Sequence, residues 1–191
     1  MFTKFREPVE PKETEESRDS AIMKNAKVYI LVFILAVLLL CLMLPKRCPI
    51  SIQTTAYEYA MDQKEPIAEH TVIIEGRYTR RLFREDVFQG QLTVSGFSET
   101  EGASAYIQFF NDYNFGMISY QQDGIPVWNS ELKHIYTNLD FSVFVIQLFE
   151  VSQDEDGVSA SWNPEDGRVL TTGPDYASMQ ELCDGFHMSA P

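Results

Sequence analysis

Apolar positions along the chain follow two regimes that meet near residue 45. Residues 28–44, VYILVFILAVLLLCLML, hold no charge, Gly or Pro. A helix over them reaches about 26 Å, near the hydrocarbon thickness of a bilayer, and Lys27, Lys46 and Arg47 flank it. Long basic side chains at those places snorkel and extend the reach. A helix apolar on every side has no face to offer water. The pattern predicts one membrane-spanning helix over 28–44. The run starts late for a secretory signal, and LPKRCP follows it with no small-x-small cleavage site. Leu40 stands before Cys41 where a lipoprotein site needs a small residue. An uncleaved signal anchor is the expectation.

After Pro49 the apolar runs become short, with turn residues every eight to twelve positions, the spacing of a layered or barrel-like β domain. Residues 45–69 read as a juxtamembrane linker in which 50–59 form a first strand or a stalk, and residues 70–191 as the β-rich domain. Strands are expected over 70–74, 88–97 and 105–110. A hairpin is expected over 117–121 and 125–128 around Asp123-Gly124. Residues 141–149 are apolar on both faces, as in a central strand. A second hairpin is expected over 158–162 and 168–172. Leu132, Ile135, Tyr136 and Leu139 follow Ser130 at helical spacing and predict a short helix. Tyr176, Met179, Leu182, Cys183 and Phe186 predict a helix over about 174–185, with Pro174 at its first position and Gly185 as its stop. The fold class is mainly β, an antiparallel sandwich or barrel-like domain with a C-terminal helix, preceded by one transmembrane helix.

Charge sharpens the division. Residues 1–27 hold six basic and six acidic side chains, two Pro and little to bury, so a disordered charged tail is expected there. The six Lys/Arg on that side outweigh Lys46 and Arg47 on the other, which places the tail in the cytoplasm and the domain outside. From Pro49 on, seven Lys/Arg face 22 Asp/Glu, a net charge of −15. A domain so acidic as a whole repels nucleic acid and anionic lipid, and nucleic acid is excluded as a partner on that ground. The expected partners are the lipid bilayer and a membrane-protein or cell-wall partner.

Chemistry-bearing motifs are sparse. His70, His134 and His187 stand in no ligand spacing, no G-x-S-x-G occurs, and no cofactor, metal or catalytic residue is expected. Residues 153–157, QDEDG, fail as a calcium loop because Asn163 falls where a bidentate Glu is needed. Cys48 and Cys183 form a bridge or remain two free thiols; spacing alone leaves both open. The densest feature is GRYTRRLFRED over 76–86, with Arg77, Arg80, Arg81 and Arg84. On a helix the four share a face, and on a strand they split between faces. They grip an external anion or pair with nearby acids such as Glu75, Glu85 and Asp86. Trp128 and Trp162 are candidate stacking residues on strands, with core packing as the competing use.

The stretch TVIIEGRYTRRLFREDVFQGQLTVSGF, with the closing GRVLTTGPDYASMQEL, resembles small membrane-anchored proteins of Gram-positive bacteria. That resemblance covers the C-terminal domain and implies a bacterial cell-surface location. It carries over no catalytic or binding residue. The expected function is a single-pass, membrane-anchored extracytoplasmic module for binding or protein interaction. A cell-wall glycan or anion-binding module is the alternative, and a hydrolase the remote one.

Overall fold

The computed structural model describes residues 28–41, 44–82, 84–110, 114–154, 157–186 and 188. The tail expected over 1–27 lies outside them. The chain divides into two units, with the boundary between Leu44 and Pro45. In the first, residues 28–41 form a helix, α1, whose side chains are all exposed. No described helix is long and apolar enough to cross a membrane.

The second unit is a closed antiparallel barrel. Its strands are β1 (Lys46–Ala60), β2 (Ala68–Arg80), β3 (Asp86–Val94), β4 (Ser104–Phe110), β5 (Phe115–Gln122), β7 (Leu132–Thr137), β8 (Phe144–Leu148) and β11 (Arg168–Thr171). Each pairs with the next in this series, and β11 returns to pair with β1, so the ring is an up-and-down barrel. A short β6 (Ile125–Val127) pairs with the end of β5 that β7 leaves uncovered. β9 (Glu150–Asp154) and β10 (Gly157–Ser161) form a separate two-stranded ribbon. A helix, α2 (Tyr176–Gly185), closes the described fold.

Alternation explains the ring. On β3, Leu92 and Val94 turn inward while Thr93 does not, as a half-buried strand requires. β8 is buried at every position because its two faces meet different cores. Phe144, Ile146 and Leu148 point into the barrel. Val145 points out and is covered, with Tyr59 and Val169, by Met179 and Cys183 of α2. Asp175 caps that helix by accepting from the Ser178 N–H at 2.8 Å, so Pro174 precedes the cap instead of opening the helix. Gly76 and Gly90 face each other across β2 and β3, where a Cβ on Gly76 would lie 2.7 Å from the Gly90 Cα. Only paired glycines let the strands approach this closely, as a tightly coiled barrel wall needs.

Two expectations are corrected. The segment after Ser130 is β7, not a helix. A bulge between Leu132 and His134 inserts Lys133, so Leu132 and Ile135 both face inward three positions apart and imitate helical spacing. The second hairpin pairs β10 with β9, not with β11. Residues 163–167 instead carry the chain from the ribbon to the barrel, held by the Gly167 N–H donating to the Asn163 carbonyl at 2.7 Å. The Asp123-Gly124 hairpin stands as expected, both residues having positive φ, 51° and 80°.

Candidate functional site

The barrel interior is filled with side chains, so its function has to be sought at its ends and outside. One end, the lower rim, holds the start of β1 and the β2–β3 and β7–β8 connections. Phe141 drops from the β7–β8 connection into this end and packs against Tyr78, Phe88 and Phe109, with ring centroids 5.2–5.9 Å apart. Its φ of 61° is unusual for an aromatic residue. The loop that holds it is tied by Asn138, whose Oδ1 accepts from the Val143 N–H and whose Nδ2 donates to the Ser142 Oγ. Beside this plug, at the rim, a small cavity of about 130 Å³ is lined by Tyr78, Arg80, Asp86, Asn114 and Asn138 among others. The Tyr78 hydroxyl donates to Asp86 Oδ2 at 2.7 Å. Burial, then that bond and the adjacent carboxylate, push its ionisation well above the usual phenol range. The Tyr78 hydroxyl is therefore a fixed donor and not a base.

The opposite end, the upper rim, is closed by charge. Glu58 is 5% exposed and points inward. Its Oε1 accepts from Arg168 Nη1 at 2.9 Å, and its Oε2 lies 3.0 Å from His70 Nε2. Arg168 Nη2 donates to Glu131 Oε2 at 2.6 Å. His70 Nδ1 lies 2.5 Å from the Ser95 carbonyl, and Phe97 packs on the ring. Each charge has an opposite partner within hydrogen-bonding distance, so the cluster is a satisfied plug, with Arg168 also lining a pocket of about 200 Å³ beside Trp162, Asn163 and Asp166.

A wider groove, of about 530 Å³, lies outside the barrel, between the β5–β6 hairpin and the β9–β10 ribbon. Ile125 and Trp128 line it, each 69% exposed, with Pro126, Val127 and Val158. The bulge that hid β7 in the sequence also braces the segment that bears Trp128. It turns Lys133 outward, and the Lys133 ammonium donates to the Trp128 carbonyl at 3.0 Å. Burial lowers the pKa of that ammonium. Gln122, Asp123, Asn129 and Gln153 supply a polar rim. An exposed Trp among aliphatic neighbours with a polar border is the composition of a protein-interaction surface.

The candidate residues read from the sequence scatter. Strand alternation sends Arg77 to the outer wall and Arg80 inward beside Tyr78. Arg81 and Arg84 lie beyond β2, and all four are exposed. Arg80 approaches Asp86 at 3.8 Å; the other three make no ion pair among the described residues. The two tryptophans take opposite uses. Trp162 is half-buried, donates from Nε1 to the Arg168 carbonyl at 3.0 Å and packs beside the second core. Trp128 projects into the groove. All three thiols are free: Cys41 and Cys48 are exposed, while Cys183 is buried on α2, where burial pushes its pKa up to about 11. Among the described residues no group of His, Cys, Asp and Glu is arranged to hold a metal.

The barrel wall also carries rings, from Phe110 through Phe115 and His134 to Phe149. His134 meets both of its neighbours edge to face, at 76° and 81°. Edge-to-face contacts thus flank His134, while Phe110 and Phe115 stack nearly parallel at 26°. In themselves, Ile125 and Val158 as groove residues and His70 as a plug residue carry no local sequence signal of those roles. The Asp123-Gly124 hairpin was the signal that could have pointed to the groove. No known protein family, characterised protein or solved structure matches the chain.

Proposed function

We propose that this chain is a single-pass, membrane-anchored protein-interaction module of a bacterial cell surface, with its barrel outside the cytoplasm. The groove at Trp128 carries the interaction part of the reading. A filled barrel with a satisfied charged plug offers little to a small ligand. A large exposed indole beside Ile125 and Val158 loses unfavourable contact with water when a protein surface covers it. The anchor part is supported by the apolar run over 28–44 and by the exposure of every side chain of α1. The orientation is supported by six Lys/Arg before the run against two just after it. The location at a bacterial surface follows the resemblance of the C-terminal domain.

Site-specific photocrosslinking tests the groove. A photoreactive residue in place of Ile125, in the full chain expressed in its host, is expected to give one discrete protein adduct. The adduct should disappear when Trp128→Ser is added, with the melting temperature of the barrel unchanged. An equal adduct from Thr93 on the barrel wall, or none from position 125, would contradict the reading.

A further inference from the structure

We propose that the lower rim of the barrel rests on the headgroups of an anionic phospholipid bilayer. The inference builds on the anchored reading and adds which end of the domain meets lipid. Lys46, Arg47, Arg77, Arg80, Arg81 and Arg84 gather at this end, and all six are exposed. They are six of the nine Lys/Arg from Pro45 onward. The β1–β2 register sets Lys46 directly opposite Arg80 and Arg47 opposite Thr79, two pairs from Arg77. Like charges face to face weaken a strand pair unless something neutralises them.

The nearby acids Glu75, Glu85, Asp86 and Asp140 offset the six only in part, so the described residues of this end stay net positive. Glu85 accepts from Gln108 Nε2 at 2.6 Å. Asp86 is taken by the Tyr78 hydroxyl and the Arg81 backbone N–H. Its 3.8 Å approach to Arg80 is the one ion pair the six make among the described residues. Leu82, 61% exposed, stands in the same connection between Arg81 and Arg84. Guanidinium forks match phosphate oxygens, and an apolar side chain framed by them suits the boundary between headgroup and acyl chain.

The rest of the barrel supplies orientation. Asp62, Glu65, Glu99, Glu101, Asp123 and Glu165 lie in connections at the upper rim. A negative surface attracts the lower rim and repels the upper one. Lys46 is two residues past Leu44, where the apolar run ends, so a bilayer holding that run is within reach of the rim. The Trp128 groove, at the upper end, then faces away from lipid.

Amide hydrogen exchange of the full chain mixed with vesicles tests this. The vesicles are phosphatidylcholine alone, or phosphatidylcholine mixed with phosphatidylglycerol. The expected result is flotation with both compositions, and several-fold slower exchange at the end of β2 and the start of β3 on the anionic vesicles. Added salt should abolish the slowing, and so should Arg77→Gln, Arg81→Gln and Arg84→Gln together in a chain with an unchanged melting temperature. Flotation with both but equal exchange would overturn the rim proposal and leave the anchor standing. Flotation with anionic vesicles alone would overturn the anchor and leave the rim. Flotation with neither would overturn both. Slower exchange on adding soluble polyphosphate, with no effect of vesicle composition, would assign the rim to a polymer and overturn the lipid assignment.

Discussion

Single residues decide whether this barrel closes. A Cβ at position 90 would collide with the Glu75 carbonyl and lie 2.5 Å from the Gly76 Cα, both backbone atoms that cannot swing aside. Gly90→Ala is therefore expected to lower stability by about 1–3 kcal/mol, measured by denaturant unfolding. Gly102→Ala has open space around it and tests the contrast. Its φ of 71° adds only the modest strain of a left-handed Ala, about 1 kcal/mol. His134 carries the pH prediction. Burial lowers its pKa from the ordinary 6.5, the neighbouring Lys133 charge adding to this and the bond to Gln147 Oε1 at 2.9 Å opposing it. A group that binds its proton less readily when folded contributes stability above its unfolded value and loses it as pH falls. The melting temperature should fall on acidification below about 6.5, and less steeply in His134→Gln. Equal slopes would remove His134 from the account. These details were beyond the sequence: Gly76 and Gly90 read as ordinary strand interruptions until the register set them opposite each other.

Elements were legible where one face met one environment. The C-terminal helix was clear because its stripe packs on a single surface, and β8 was clear because both of its faces are covered. β7 was misread since a bulge breaks the period of two, and a period of three remains in its place. β10 was given the wrong partner because residues 163–167 look like a turn, while the chain there passes from one sheet to another. The arginine cluster was plain in the sequence, but its division between wall, rim and connection needed the strand assignment. The cap of α2 gives a test at this scale. Asp175→Ala removes the acceptor for the Ser178 N–H and should cost about 1 kcal/mol, with Asp175→Asn costing less. If both variants match the parent in denaturant unfolding, the cap does not stabilise the helix.

The whole domain is sealed differently at its two ends, by an aromatic plug below and a charged plug above. Glu58 and Arg168 are 110 positions apart, so no local pattern announced their pairing. Glu58→Gln should destabilise the barrel by about 2–3 kcal/mol, because it strands the partners of a carboxylate. Arg168, partly exposed, turns to water and softens the loss. The same variant should leave photocrosslinking from position 125 intact per folded molecule. That separation of stability from interaction is expected if the barrel works through its outside.

The central claim is that an anchored barrel presents its Trp128 groove away from the membrane. The direct measurement is tryptophan quenching in vesicles, using Trp162→Phe so that Trp128 is the sole emitter. Strong quenching by aqueous acrylamide and none by lipids brominated along their acyl chains is expected. Strong quenching by the brominated lipids would mean that the groove itself meets the bilayer, and would contradict the claim.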